Sequence, residues 1–289
     1  MFNNVRLLLV SKLGKPYDPV TGTGVVGRNY AYQTGGGGAT GWFTGKKFKR
    51  YMGSGALSYG LDDFNADNFD HSALGFIGGG SVSVGQGGAR PIQSLSVPTG
   101  VPSFGRDWKA AIKKYYKSVV SIGFQGESPS YQNHLLDLDP NYRDKFGQPL
   151  IRITFDWEPN ERAMVAYAGG KTLQIMQQMF PDAAKAGIGP YSPTGPSLVQ
   201  GGPGSLAAHY DSVPYQSTHN TGGAIMGADP GTSVVNSYLQ MWDAPNVFVV
   251  GACNFPQNAG FNPTGTVGAL AYRAAEGILQ YHKTGQSLV

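Results

Sequence analysis

Cysteine is nearly absent from this 289-residue chain: Cys253 stands alone, so no internal disulfide and no cysteine-rich metal site can form. Charge is scarce too, at 14% against about 25% in an average domain. The formal net charge is +4, and the basic residues are scattered apart from Lys46–Arg50 and Lys113-Lys114. A nucleic-acid surface needs such residues gathered on one face, so nucleic acid is not an expected partner. No run of about 18 apolar residues exists, so no helical membrane span is expected. The opening Met1-Phe-Asn-Asn-Val-Arg6 lacks the basic region and apolar core of a signal peptide. His71, His134, His209 and His282 each stand alone, without a second ligand at metal-binding spacing, so no metal is expected.

What is present is glycine (43), proline (19), tyrosine (16) and phenylalanine (14). That composition points to many tight turns around bulky packing, and the length suits about two domains. Hydrophobic residues make up 40%, enough for a sizeable core. Apolar spacing predicts helices over Val5–Leu13, Asp107–Val119, Glu161–Phe180 and Thr264–Lys283. In the last, Val267, Leu270, Ala271, Ala274, Ala275, Ile278 and Leu279 form the expected core stripe, and Pro263 suits a helix start. Strands are expected at Val120–Gln125, Asn133–Asp139 and Leu150–Asp156. In the third of these, Ile151, Ile153 and Phe155 alternate with polar residues. Leu74–Val84 reads as strand, glycine turn, strand. Val247–Val250 reads as a strand buried on both faces. The middle therefore looks α+β and antiparallel, and the two ends look like pieces of an α/β layer.

Several motifs have plain explanations. Gly22-Thr-Gly-Val-Val-Gly27 spells GxGxxG, but it follows a turn and no acidic residue stands about 20 positions on, so it reads as a decoy. Asp62, Asp63, Asp67 and Asp70 begin like a calcium loop, yet Asn68 and Leu74 fall where that loop needs Gly and Glu; a solvated polar loop is expected. Cys253, flanked by glycine and apolar residues, reads as a packed small residue and not a thiolate. The stretch His219-Asn-Thr-Gly-Gly223 differs. Its glycines let backbone approach a flat ligand, and an imidazole accepts a proton near neutral pH. Asn262 precedes Pro263 and the last helix, whose N-terminal N–H groups favour developing negative charge. Spacing alone leaves a purely structural role for the pair open.

The same residues carry a resemblance. His219 through Asn262-Pro-Thr264, with the small-residue run Gly251-Ala-Cys253 between, resembles the signature of the glucose–methanol–choline (GMC) oxidoreductases. Asn4–Leu9, Gly24-Val-Val-Gly-Arg-Asn-Tyr-Ala-Tyr-Gln33 and Leu61–His71 resemble further family segments. These are closest to those of the flavoprotein subunits of bacterial gluconate, sorbitol and fructose dehydrogenases. The resemblance covers nearly the whole chain, as the C-terminal half of such a protein. It implies FAD as cofactor and an alcohol carbon of a sugar, polyol or sugar acid as substrate. It further implies His219 as base, Asn262 as its partner on the hydroxyl, and Gly251, Ala252, Asn262, Pro263 and Thr264 against the flavin. A cytochrome c subunit and a small exported subunit are the implied partners, and through them a periplasmic, membrane-associated location. The implied fold is an incomplete, Rossmann-like FAD-binding domain from both chain ends (1–35 and 219–289) around an antiparallel substrate domain (36–218). Because the family's ADP-binding GxGxxG is not found here, residues 1–289 alone are expected to bind FAD weakly or not at all. The alternative is a non-catalytic binding or pairing module.

Overall fold

The computed structural model describes residues 1–43, 47–48, 58–86, 97, 101–179, 191–194 and 219–288. The basic run at 46–50, the loop at 187–216 and His209 lie wholly or partly outside them. The elements in chain order begin with α1 (Phe2–Ser11), β1 (Ala31–Tyr32), β2 (Thr34–Trp42), β3 (Ser58–Leu61), β4 (Gly80–Gln86) and α2 (Gly105–Tyr115). There follow β5 (Val119–Gly126), β6 (Leu135–Arg143), β7 (Pro149–Thr154), α3 (Pro159–Met179), β8 (Tyr191–Thr194), β9 (Asn220–Thr221) and α4 (Thr264–Thr284). The chain falls into two compact units: Met1–Gln33, Glu127–Asp156 and Pro214–Val289 form the first, Thr34–Gly126 and Trp157–Val213 the second.

The second unit is organised by an antiparallel sheet in the order β3-β4-β5-β2-β8. Its centre is β5, where Val120, Ile122 and Phe124 alternate inward, as pleating requires of a half-covered sheet. Val82 stands opposite Phe124 and Val84 opposite Ile122, which fixes the register between β4 and β5. The helix α3 covers β2 and β5. Its buried residues Glu161, Met164, Val165, Ala168, Thr172 and Met176 recur at helical spacing, so one stripe faces the sheet. In α2 only Ala111 is fully buried, while Trp108, Ile112, Tyr115 and Tyr116 are half-buried along the expected face. Leu74–Val84 forms one strand, not two. Phe64 O lies 2.3 Å from where a side chain at Gly79 would stand, so the chain crosses a loop there before β4 begins.

In the first unit α1 buries Val5, Leu8 and Leu9, then stops where Lys12 turns left-handed (φ 55°) and Leu13 N–H bonds Leu8 O at 3.0 Å. It packs on the β6–β7 hairpin, to which Arg6 is tied by Asp144 (2.6 Å) and by Pro149 O (2.7 Å). Residues from both chain ends, Met1–Gln33 and Pro214–Val289, fall in this unit. Its named strands, however, form two antiparallel pairs, β1–β9 and β6–β7, and not the parallel layer expected of a Rossmann-like domain. Residues 127–156, grouped with the substrate domain in the sequence reading, cluster here with the chain ends.

Three expectations for this unit change. Val247–Val250 forms no named strand: Val247 N–H closes a turn on Ala244 O, and Val249 N–H to Leu239 O with Met241 N–H to Val247 O make only one isolated antiparallel bridge, Gln240 to Phe248, which does not extend into a ladder. In β7, Ile151 is half-buried, but Ile153 stays 40% exposed. Along α4 only Ala274 and Gly277 are buried, whereas Ile278 and Leu279 are 45% and 59% exposed. Gly277 is covered because a side chain there would meet Tyr238 at 3.0 Å and Leu288 at 3.1 Å. Of the expected stripe Ala274 is buried and Val267 and Leu270 are half-buried, while Ala271, Ala275, Ile278 and Leu279 are exposed.

Candidate functional site

The site is built in the first unit, mostly from loops. Pairing of Ala31 with Thr221 and Tyr32 with Asn220 joins β1 to β9 and carries His219 to the end of that ladder. His219 is half-buried and left-handed, with φ 61°, a conformation that strains a non-glycine residue. Two donors hold its carbonyl: Gln33 N at 3.3 Å and Asn258 Nδ2 at 2.6 Å. Gln33 Nε2 in turn donates to Ala259 O (2.9 Å) and Phe261 O (3.0 Å), the residues just before Asn262. The structure therefore brings the backbone of His219 and the segment leading to Asn262 into one hydrogen-bonded junction. Asn262 itself is exposed, and among the described residues no hydrogen bond joins the two side chains.

The glycines beside His219 work differently from the expectation. Gly222 and Gly223 are both left-handed (φ 82° and 86°), but they admit the chain itself, not a flat ligand. A Cβ on Gly222 would stand 1.9 Å from Asn29 O, and one on Gly223 would stand 2.9 Å from Val5. Gly222 N–H then reaches Ala252 O at 3.2 Å, and Ala224 N–H reaches Cys253 O at 3.0 Å. These bonds place the Gly251-Ala252 turn beside the His219 loop. Gly251 has φ 150°, open only to glycine, and its N–H bonds Asn254 Oδ1 at 3.0 Å. Asn254 is fully buried, and its Nδ2 donates to Ala224 O at 3.0 Å. Cys253 is buried within this turn. Desolvation pushes its thiol above the ordinary value, outweighing the hydrogen bond from Asn4, and this disfavours a thiolate there.

Asn262, Pro263 and Thr264 open α4, where Val267 N–H bonds Pro263 O at 3.0 Å. Side chains added at Gly265 or Gly268 would meet nothing within 4 Å, so the first turn of this helix borders open space. Its free N–H groups can hold negative charge there. Two cavities of this unit lie elsewhere. One, of about 340 Å³, is lined by Met226, Gly227, Ala228, Asn236, Ser237, Trp242 and Leu288; the other, of about 410 Å³, by Asn3, Arg6, Leu7, Val10, Asp144 and Gln148. His219 and Asn262 line neither.

The remaining motifs resolve as structure. Gly24 and Gly27 sit where a Cβ would strike Pro16 O at 2.0 Å and Leu136 O at 2.1 Å, so the GxGxxG match serves chain crossings and opens no helix. Asp62 bonds Asn65 and Asn68, Asp70 bonds Ser72, and no group of three metal-ligating side chains occurs among the described residues. His71 stacks on Phe76, and His134 packs against Tyr131 and Phe155. Sequence reasoning missed Gln33 and Asn258. Gln33 closes the quoted Gly24–Gln33 segment and Asn258 lies four residues before Asn262, yet no spacing links two residues so far apart.

The chain resembles known proteins in sequence and fold. The GMC oxidoreductase family model matches residues 135–271. The chain is 44% identical to the gluconate 2-dehydrogenase flavoprotein of Pantoea cypripedii, over 100% of this chain and 45% of that protein. It is 32% identical to the fructose dehydrogenase large subunit of Gluconobacter japonicus, over 54% of this chain and 26% of that one. A formate oxidase structure from Aspergillus oryzae superposes with a TM-score of 0.56 at 15% identity, covering 98% of this chain and 53% of that one. The chain thus spans less than half the length of these curated relatives.

Proposed function

We propose that this chain, which belongs to the GMC oxidoreductase family of FAD-dependent enzymes, is the catalytic C-terminal portion of a dehydrogenase that oxidises a CH–OH group of a sugar, polyol or sugar acid. The observation that supports it most is the junction around His219. A strained histidine is fixed by its carbonyl to the loop that delivers Asn262 and the start of α4. Bound FAD supplies a two-electron acceptor, at flavin N5, for the hydride leaving the alcohol carbon. The His219 imidazole takes the hydroxyl proton as that carbon becomes a carbonyl. Asn262 has no basic group, and its carboxamide orients the hydroxyl by hydrogen bonding. Gly251, Ala252, Pro263 and Thr264 lie on the turn and helix start that would flank the cofactor. The free N–H groups of the first turn of α4 would face its negative edge, a fixed donor set needing no rearrangement during the reaction.

No helix among the described residues is long and apolar enough to cross a membrane. Electrons pass, in this proposal, to a cytochrome c partner subunit, with a small exported subunit completing the assembly. The test uses protein from its complete reading frame, loaded with FAD and kept without oxygen. Addition of a sugar acid or polyol is expected to bleach the visible flavin band. A loaded protein whose spectrum stays unchanged across sugars, sugar acids, polyols and simple alcohols would overturn the proposal and leave a binding or pairing module as the remaining reading.

A further inference from the structure

We infer that Gln33 and Asn258 form a positioning clamp that sets where His219 points relative to Asn262. Two costs meet in this clamp. His219 is held left-handed, and the Oδ1 of Asn258 is buried without a hydrogen-bond partner. Asn258 itself is 1% exposed. Each feature is unfavourable alone. What Asn258 does with its other end explains its presence. Its Nδ2 donates to His219 O at 2.6 Å and to Thr221 Oγ1 at 3.2 Å, gripping both sides of Asn220. Its backbone is locked in turn: Asn258 N–H bonds Ser128 O at 3.0 Å and Ser128 N–H bonds Asn258 O at 2.9 Å. Gln33 completes the grip, because its N–H reaches His219 O while its Nε2 holds the carbonyls of Ala259 and Phe261. The base and its partner are therefore registered to each other through two carboxamides. Neither carboxamide needs to touch the substrate, so both are positioning residues.

This inference rests on His219 being the base, and its test separates the two ideas. Turnover per bound FAD and KM are measured for Asn258→Ala, for His219→Ala and for the double variant. The clamp predicts that Asn258→Ala lowers kcat about 10–100-fold with little change in KM, since misplacement of a reacting group by about 1 Å costs that much. In the His219→Ala background the same change is expected to cost about twofold or less, because there is no longer an imidazole to aim. A residue that only supports the fold would lower flavin content or thermal midpoint while leaving turnover per flavin intact, and that result overturns the clamp. An undiminished loss in the double variant overturns it as well. Near-normal turnover of His219→Ala would remove the base itself, and the clamp's purpose with it. Should Asn258→Ala fail to fold, Gln33→Met keeps the backbone donor and removes only the bonds to Ala259 and Phe261. It is expected to lose about 10-fold in turnover per flavin, and unchanged turnover overturns the clamp.

Discussion

The two units are held together by different physics. In the second, a five-stranded antiparallel sheet takes up the backbone donors, and the register follows from alternating apolar residues such as Val82, Val84, Ile122 and Phe124. In the first, the named strands make only two-stranded pairs, and much of the loop backbone is satisfied by other loops and by buried carboxamides: Asn254, Asn258, Gln33, and Asn236 with Gln240. Left-handed glycines allow those loops to cross within contact distance. A sheet tolerates change wherever a strand residue faces open space. A lattice of side-chain-to-backbone bonds fixes individual atoms, which is what a reaction site requires, and has little tolerance for change.

Glycine substitution breaks this contrast most sharply. Gly222→Ala places a Cβ 1.9 Å from Asn29 O at a left-handed position, and is expected to cost about 4 kcal/mol or more. In β5, Gly123→Ala meets nothing within 4 Å and is expected to stay within about 0.5 kcal/mol of the wild type or to gain slightly. Urea unfolding of both variants checks the pair, and equal losses would dissolve the distinction. Next in size is Asn254→Ala, which leaves Gly251 N–H and Ala224 O without their partner inside a buried turn. A loss of about 1–3 kcal/mol is expected, read from the same unfolding curves; an unchanged curve would mean that the turn holds itself.

The smallest effect is electrostatic. The hydrogen bond from Arg6 holds the Asp144 carboxyl below its ordinary value of 3.8. A lowered folded value contributes stability above the unfolded one, and that contribution is lost as pH falls through the folded value. Asp144→Asn is therefore expected to melt slightly earlier at neutral pH and to shift less than the wild type as pH drops below about 4. Parallel melting curves across that range would show the pair to be idle. The pair is partly exposed, with side chains 22% accessible, so solvent screening keeps the effect small.

The helices were legible because apolar spacing survives whatever packs against it. Val5, Leu8 and Leu9 mark α1, and Met164, Ala168, Thr172 and Met176 mark α3. The β6–β7 hairpin was legible as a pair of strands, but not its burial, since Ile153 faces solvent against the expected alternation. Val247–Val250 was not, because an apolar run says nothing about where its N–H groups bond, and here one turn and a single isolated bridge to Gln240 take them without building a ladder. The burial of α4 was misread for a related reason: a stripe shows which face is apolar, not what covers it. At the site, His219 and Asn262 stand out by residue type and by their glycine and helix-start neighbours. Gln33 and Asn258 do not, since Gln33 meets its partner Ala259 from 226 positions away. Only the fold reveals such a contact.

Turnover per bound FAD of His219→Ala, in protein from the complete reading frame, tests the central claim most directly. A base at this position predicts a fall of about 10²–10⁴-fold with FAD still bound. Turnover within a few-fold of wild type would show that the proton leaves by another group and that the strained histidine is only part of the scaffold.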